Sequence, residues 1–435
     1  MKGNFFKKII FRKIIFKKII FFVIVLSSIL IFASCSCSEK VSIYYLNFKT
    51  EQDQAWQKIA KKYEEEKNIK VDVVTAASGN YEGTLTAELD KSNAPTLFQV
   101  NGMIGYNTWK DYILDLSNSK VYNELTSDDY AIKVDDKVYG IGYVYEGYGI
   151  IVNKELLNKT PYEVEEITSF QKLKEVTEYI TKNKETLGFS AFTSSGLDSS
   201  SSWRFSGHLL NIPLYYEFKE NNIESQPSQI KGNYLSSFKQ LWDLYINNST
   251  VSPKELSSKT STDSLSEFIT KKACFYQNGT WEYENVKSLG DENLGFIPIY
   301  ADVDDETQGF ACGCENYWVV NKQVSDEKQK ATLDFLEWLT TNEYPLEVFS
   351  KEMGFVSPFK KAKETENVLA KEIQKKSSLE NVDWVFNYTP NVEVYRAHLV
   401  SALTLYSSDQ TSQNWLKVKE AVVDKWKEEY NKQNK

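Results

Sequence analysis

The stretch VSIYYLNFKTEQDQAWQKIAKKYEEEKNIKVDVVTA, Val41 to Ala76, changes period twice in 36 residues. VSIYYLNF is rich in β-branched and aromatic residues, as a strand is. Ala55, Trp56, Ile59, Ala60 and Tyr63 then recur at helical spacing, and VDVVTA (71–76) returns to strand character. A further polar helical stretch, Tyr81 to Leu89, leads through Pro95 to TLFQV (96–100). Strands alternating with helices predict βαβ units and an α/β fold with mixed, mostly parallel sheets flanked by helices. In such sheets ligands sit beyond the carboxyl ends of the strands, here Asn47-Phe48, Ala77-Ser78-Gly79 and Asn101-Gly102.

Downstream, more amphipathic helices are expected. Thr168 with Gln171 makes a capping-box pattern ahead of Phe170, Leu173, Val176 and Ile180. Trp242, Trp338, Trp415 and Trp426 each fall on an apolar helical stripe, which marks them as core. The serine run Ser194–Ser202 reads as a loop.

Upstream, residues 1–34 carry seven Lys and Arg and no acid, followed by a 14-residue uncharged run, Ile19–Phe32. Basic start, short apolar run and small residues at the cut make a secretory signal. The run is shorter than the roughly 20 residues that span a bilayer comfortably. Phe32-Ala33-Ser34-Cys35 is similar to a lipoprotein box, so Cys35 is the expected lipidation site, with 35–40 as a linker. Without residues 1–34, 44 basic residues face 60 acidic ones, a net charge of −16 against −9 for the whole chain. That balance argues against a grip on nucleic acid phosphates.

The chain holds two histidines, His208 and His398, too few for histidine-based triad or zinc chemistry. It has no nucleophile elbow, phosphate loop or H-E-x-x-H. Asp302–Glu306 lacks the loop glycine and terminal Glu of an EF-hand, so no metal and no cofactor are expected. Cys274, Cys312 and Cys314 leave three readings open: one disulfide with an odd thiol, a thiolate metal site, or buried small side chains, of which the last is favoured.

Four segments carry a resemblance: KVYGIGYVYEGYGIIVNKELL (137–157), CFYQNGTWEYENV (274–286), GCENYWVVNK (313–322) and MGFVSPFKKA (353–362). In this order, with the lipoprotein box, they resemble family 1 extracellular solute-binding proteins. Gly142 stands where that family usually has proline, and Cys312 and Cys314 are outside its pattern. The resemblance implies a two-lobed periplasmic-binding-protein-like fold (type II) with hinge-linked lobes, one of residues 41–147 plus 308–342, the other of 148–307 plus 343–435. Its implied crossings lie near Tyr145–Gly149, Tyr300–Gln308 and Asn342–Glu347. It also implies a monomer, lipid-anchored on the extracytoplasmic face, that delivers a carbohydrate to the permease subunits of an ABC importer.

A sugar offers an apolar C–H face and a rim of hydroxyls, so its site needs flat aromatics with acids and amides. Trp281, after Gly279, matches the family's stacking tryptophan by resemblance; Trp203, after the serine run, is the next candidate platform. Glu146, Tyr148, Asn101, Gly102, Asn47, Glu51, Asn278, Asp383 and Tyr395 are candidate polar contacts. Arg204 and Arg396 are the only arginines beyond Cys35, which favours a neutral ligand over an anion. Two other classes stay open, a secreted carboxylate-pair glycosidase and an adhesive surface lipoprotein.

Overall fold

The computed structural model describes residues 41–434 except 78, 79, 195 and 377; the signal segment, Cys35 and its linker lie outside the described residues. The described residues begin with β1 (Ser42–Asn47), the helix Asp53–Lys67 and β2 (Lys70–Thr75). That helix buries Ala55, Trp56, Ile59, Ala60 and Tyr63 and ends on Asn68, in the left-handed region (φ 54°) with its N–H on the Glu64 carbonyl. The helix Tyr81–Leu89 returns the chain to β3 (Leu97–Asn101), parallel to β1. Next come β4 (Ala131–Val134) and β5 (Lys137–Gly142), then β6 (Glu146–Asn153), β7 (Ser190–Phe192), β8 (Ala273–Gly279), β9 (Leu294–Ile297) and β10 (Gln308–Gly313). β11 (Asn316–Val320) and β12 (Glu380–Val382) complete the set.

Two sheets result. The first runs β2-β1-β3-β11-β5-β4, the second β12-β10-β6-β8-β7, with β9 also on β6. The α/β, two-sheet expectation holds, and the sheets are mixed, but antiparallel pairs outnumber parallel ones. β1/β3, β7/β8 and β10/β12 are parallel, whereas β11 runs antiparallel to β3 and β5, β4 to β5, and β6 to β8, β9 and β10. The physical reason is local. Crossover logic covers only strands joined through a helix, while β4 and β5 are joined by Asp135-Asp136, both at positive φ (49° and 61°), a two-residue hairpin turn. β11 is inserted from more than 200 residues beyond β3 by a connection no local pattern announces.

Sheet pairing and packing place two segments differently from the lobe grouping that the resemblance implies. β10, grouped by resemblance with the first lobe, pairs with Glu146–Tyr148 of β6, so the chain passes between sheets at Cys314-Glu315 and not at 300–308. Residues 343–362, grouped with the second, pack on the first sheet: Phe349 meets the rings of Trp56 (5.6 Å) and Trp318 (6.4 Å), and Phe359 stacks on Trp318 at 6.1 Å. Aromatic burial keeps this segment there, since Trp318 is fully buried among Tyr143, Trp56 and these rings.

The stripe tryptophans Trp242, Trp415 and Trp426 share one large core with the second sheet. The capping pattern is displaced by one residue: Ser169, not Thr168, accepts from the Lys172 N–H at the start of Phe170–Lys182. Cys274, Cys312 and Cys314 are buried free thiols, and burial pushes Cys312 up to about 12.

Candidate ligand-binding cavity

The carboxyl ends of β1, β2 and β3 open into a cavity of about 810 Å³. Phe48 to Glu51, Ala77, Asn80 to Gly83 and Asn101 line it from the first sheet, with Glu315 from the passage between β10 and β11. The opposite wall is aromatic. Trp203 and His208 border it, the latter on the π-helical turn Arg204–Leu209, with Trp281 just beyond β8. The helix Val392–Ser408 closes the space with Glu393, Arg396, Ala397, Val400 and Ser401. Those positions follow the i, i+3, i+4, i+7, i+8 spacing of one helical face, while Tyr395, Leu399, Ala402 and Leu403 bury the other.

Of the eleven candidate contacts, Trp281, Trp203, Glu51 and Asn101 come together around this cavity. The other seven do not line it, and each has its own surroundings. Glu146 is buried and both its oxygens accept from Lys49 Nζ, at 2.8 and 2.9 Å; Lys49, not Glu146, reaches the cavity wall. Tyr148 is fully buried and stacks behind His208, centroids 4.1 Å apart and planes within 4°. Asn47 is consumed by the turn after β1: Nδ2 donates to Lys49 O and Thr75 Oγ1, and Oδ1 accepts from Lys49 N. Gly102 answers a backbone need, with φ +50° where β3 reverses into the helix Gly102–Trp109. Asn278 supports Trp281 from behind, its Oδ1 accepting from Trp281 Nε1 at 2.8 Å. Asp383 stands off the cavity, its main-chain carbonyl accepting from Asn211 Nδ2. Tyr395 belongs to the core face of its helix, with its hydroxyl on Val422 O and its ring edge-on to Trp426 at 5.7 Å.

Lys49, Glu315, His208, Glu393 and Arg396 line the cavity without having been singled out. A signal existed for two of them: Glu393 and Arg396 share the one helical face that carries no large aromatic. For Lys49, Glu315 and His208 it did not, because their place at the cavity depends on which distant segments surround them.

The charges are tightly arranged. Lys49, held by Glu146, also lies 3.7 Å from Glu51. Burial raises the Glu51 carboxyl above its ordinary range, and Lys49 opposes the shift; Glu315 is likewise raised by burial, with Lys49 and Arg396 opposing. Among the described residues, no carboxylate comes within ion-pair distance of Arg396. His208 sits edge-on to Trp203 (5.0 Å) and tilted to Trp281 (5.5 Å), and its Nδ1 has no hydrogen-bond partner among the described residues.

Burial, with Arg396 and Arg204 adding to it, depresses the His208 pKa well below the imidazole range. The folded ring therefore resists a proton that the unfolded chain accepts near about 6.5, so stability falls as pH drops through that value. We expect the stability of the wild-type chain relative to His208→Phe to decline by about 1.4 kcal/mol per pH unit below that point. Urea unfolding of both at pH 7.5, 6 and 5 measures it; a constant difference would contradict a neutral buried ring.

A family model described as bacterial extracellular solute-binding protein matches residues 58–380. The chain belongs to that family. Solved structures agree on the fold of this solute-binding protein. The solute-binding protein RafE bound to raffinose superposes with a TM-score of 0.71 at 19% identity, covering 89% of this chain and 100% of that one. Maltose-bound MalE3 of T. maritima gives 0.68 at 14% identity, covering 89% and 99%. A sugar transporter protein of Bacillus licheniformis in complex with stachyose gives 0.65 at 17%, covering 88% and 99%. At such identities the likeness is one of fold.

Proposed function

We propose that this solute-binding protein captures a sugar or oligosaccharide in the cavity, holds it by aromatic stacking and hydrogen bonding, and delivers it to an ABC importer. The observation that carries the reading is the pairing of Trp203 and Trp281 on one wall, centroids 6.1 Å apart, with Glu51, Asn101 and Arg396 around the same space. Flat apolar faces take the C–H side of a pyranose, and the acids and amide take its hydroxyls. The sugars bound by RafE, MalE3 and the B. licheniformis protein support the same ligand class. The lobes we propose follow the sheets, roughly 43–144 with 315–362 and 146–313 with 367–434, and close on the ligand about their connections. Cys35 is the proposed lipid anchor, which would place the protein on the extracytoplasmic face of the membrane.

Calorimetry against raffinose, maltose, stachyose and their monosaccharides tests this directly. Saturable binding without turnover is expected, with affinities in the micromolar order that roughly −8 kcal/mol represents. Release of monosaccharide during the titration would overturn the transport reading in favour of a glycosidase, and binding to none of the sugars would remove carbohydrate as the ligand class.

A further inference from the structure

The two indoles of the cavity wall belong to different segments, yet the residues behind them, Asn278 and Arg204, both donate to one buried oxygen, the Tyr276 hydroxyl. Trp281 Nε1 donates to Asn278 Oδ1 at 2.8 Å, and the same oxygen accepts from the Gly279 N–H at 3.0 Å. Asn278 Nδ2 donates to the Tyr276 hydroxyl at 2.7 Å. That hydroxyl also accepts from Arg204 Nη1 at 3.0 Å and lies 3.4 Å from Glu282 Oε1, as its donor. A phenol oxygen has two lone pairs and one proton, so every bonding position of Tyr276 is in use. Arg204, next to Trp203 in the chain and fully buried, places its guanidinium over the Trp203 ring, 5.9 Å from the centroid, and donates Nη2 to Ser201 Oγ.

Both indole N–H groups are occupied inside the protein, that of Trp203 on Ser200 O at 3.0 Å and that of Trp281 on Asn278. The rings therefore offer the cavity faces and no donors. Gly279 lets Trp281 lie flat over its own backbone, since a Cβ there would stand 2.3 Å from the indole. The two ring planes meet at 48°.

We infer that Tyr276, which does not line the cavity, is a positioning residue whose hydroxyl fixes the relative orientation of Trp203 and Trp281 and so governs affinity for a stacked saccharide. The inference rests on the proposed reading of the cavity as a sugar site. Tyr276 is itself held by β8 and by its ring against Phe268 at 5.5 Å, so its oxygen is a stationary reference for both platforms.

Tyr276→Phe keeps that ring packing and removes the shared oxygen. In the protein labelled with 5-fluorotryptophan and free of sugar, Trp203→Phe and Trp281→Phe assign the two resonances by ¹⁹F NMR. Tyr276→Phe is expected to shift or broaden both. Tyr245→Phe removes a buried hydroxyl that has no hydrogen-bond partner among the described residues and is expected to move neither. Asn278→Ala cuts the link on one side only and should move Trp281 more than Trp203. Unchanged indole resonances in Tyr276→Phe would overturn the inference. By calorimetry, Tyr276→Phe should weaken, by about tenfold, whichever of raffinose, maltose and stachyose the wild type binds; unaltered affinity would equally overturn it. If the wild type binds none of them, the sugar reading fails, and the ¹⁹F comparison still decides whether Tyr276 positions the indoles.

Discussion

Trp281→Ala is expected to cost about 2 to 4 kcal/mol of sugar binding, on the order of 30- to 700-fold in Kd, the range of a buried aromatic anchor in a recognition site. The physical basis is that Trp281 contributes a face and nothing else, because its one donor is already bonded to Asn278. Removing the ring deletes the stacking surface and leaves Asn278 Oδ1 with a single donor, the Gly279 N–H. Trp203 stays, secured by Ser200 O, so residual weak binding is expected and complete loss is not required. Calorimetry on the variant with the tightest-binding sugar measures the effect, with far-UV circular dichroism as the folding control. An affinity within twofold of wild type would move the ligand away from this wall.

Glu146→Ala is expected to produce the largest loss of stability, about 3 kcal/mol, in the range found when one partner of a buried ion pair is removed. Lys49 and Glu146 are only 5% and 4% exposed, so the variant would leave an ammonium in a poorly hydrated space. The loss is placed at the lower end of that range because Glu51, 3.7 Å from the same nitrogen, remains as a partial counter-charge. Replacing the pair together, Lys49→Met with Glu146→Leu, should restore most of the stability, since neither charge is then stranded. Urea unfolding with a linear extrapolation distinguishes the cases. A loss of less than about 1 kcal/mol, the scale of an exposed pair, would mean that water reaches Lys49 freely.

Glu146 also shows how far local reading carries. An acid at the head of a crossing strand reads as a ligand contact, whereas in the structure its partner Lys49 reaches the cavity wall and Glu146 does not. What turned the carboxylate inward was Lys49, 97 residues earlier in the chain. Tyr395 and Arg396 make the same point on a single helix. They are neighbours in the chain, and a rotation of about 100° between them sends one ring to Trp426 and one guanidinium to the cavity. Periodicity over Val392–Ser408 contains that distinction, because Tyr395, Leu399 and Leu403 recur as an apolar stripe and Arg396 does not. Trp281 and Trp203 were legible for the complementary reason. Each follows serine or glycine in the sequence and lies on no long apolar stripe, Trp281 in the short 3₁₀ turn Thr280–Glu282 and Trp203 at the start of the π-helical turn Arg204–Leu209.

Period alone therefore determined the first βαβ units, the amphipathic helices with their buried tryptophans, and the strand ends where a cavity opens. These depend on neighbours within one element, which is the distance over which the pattern 2.0 or 3.6 operates. Tertiary structure alone decided three other things: the insertion of β11 between β3 and β5, the return of residues 343–362 to the first sheet, and the assignment of each polar group to the cavity or to a partner. Hydrogen bonds and ion pairs saturate. Whether Glu146, Asn278 or Asn47 has capacity left for a ligand depends on Lys49, Trp281 and Thr75, and only the folded chain brings those partners within 3 Å.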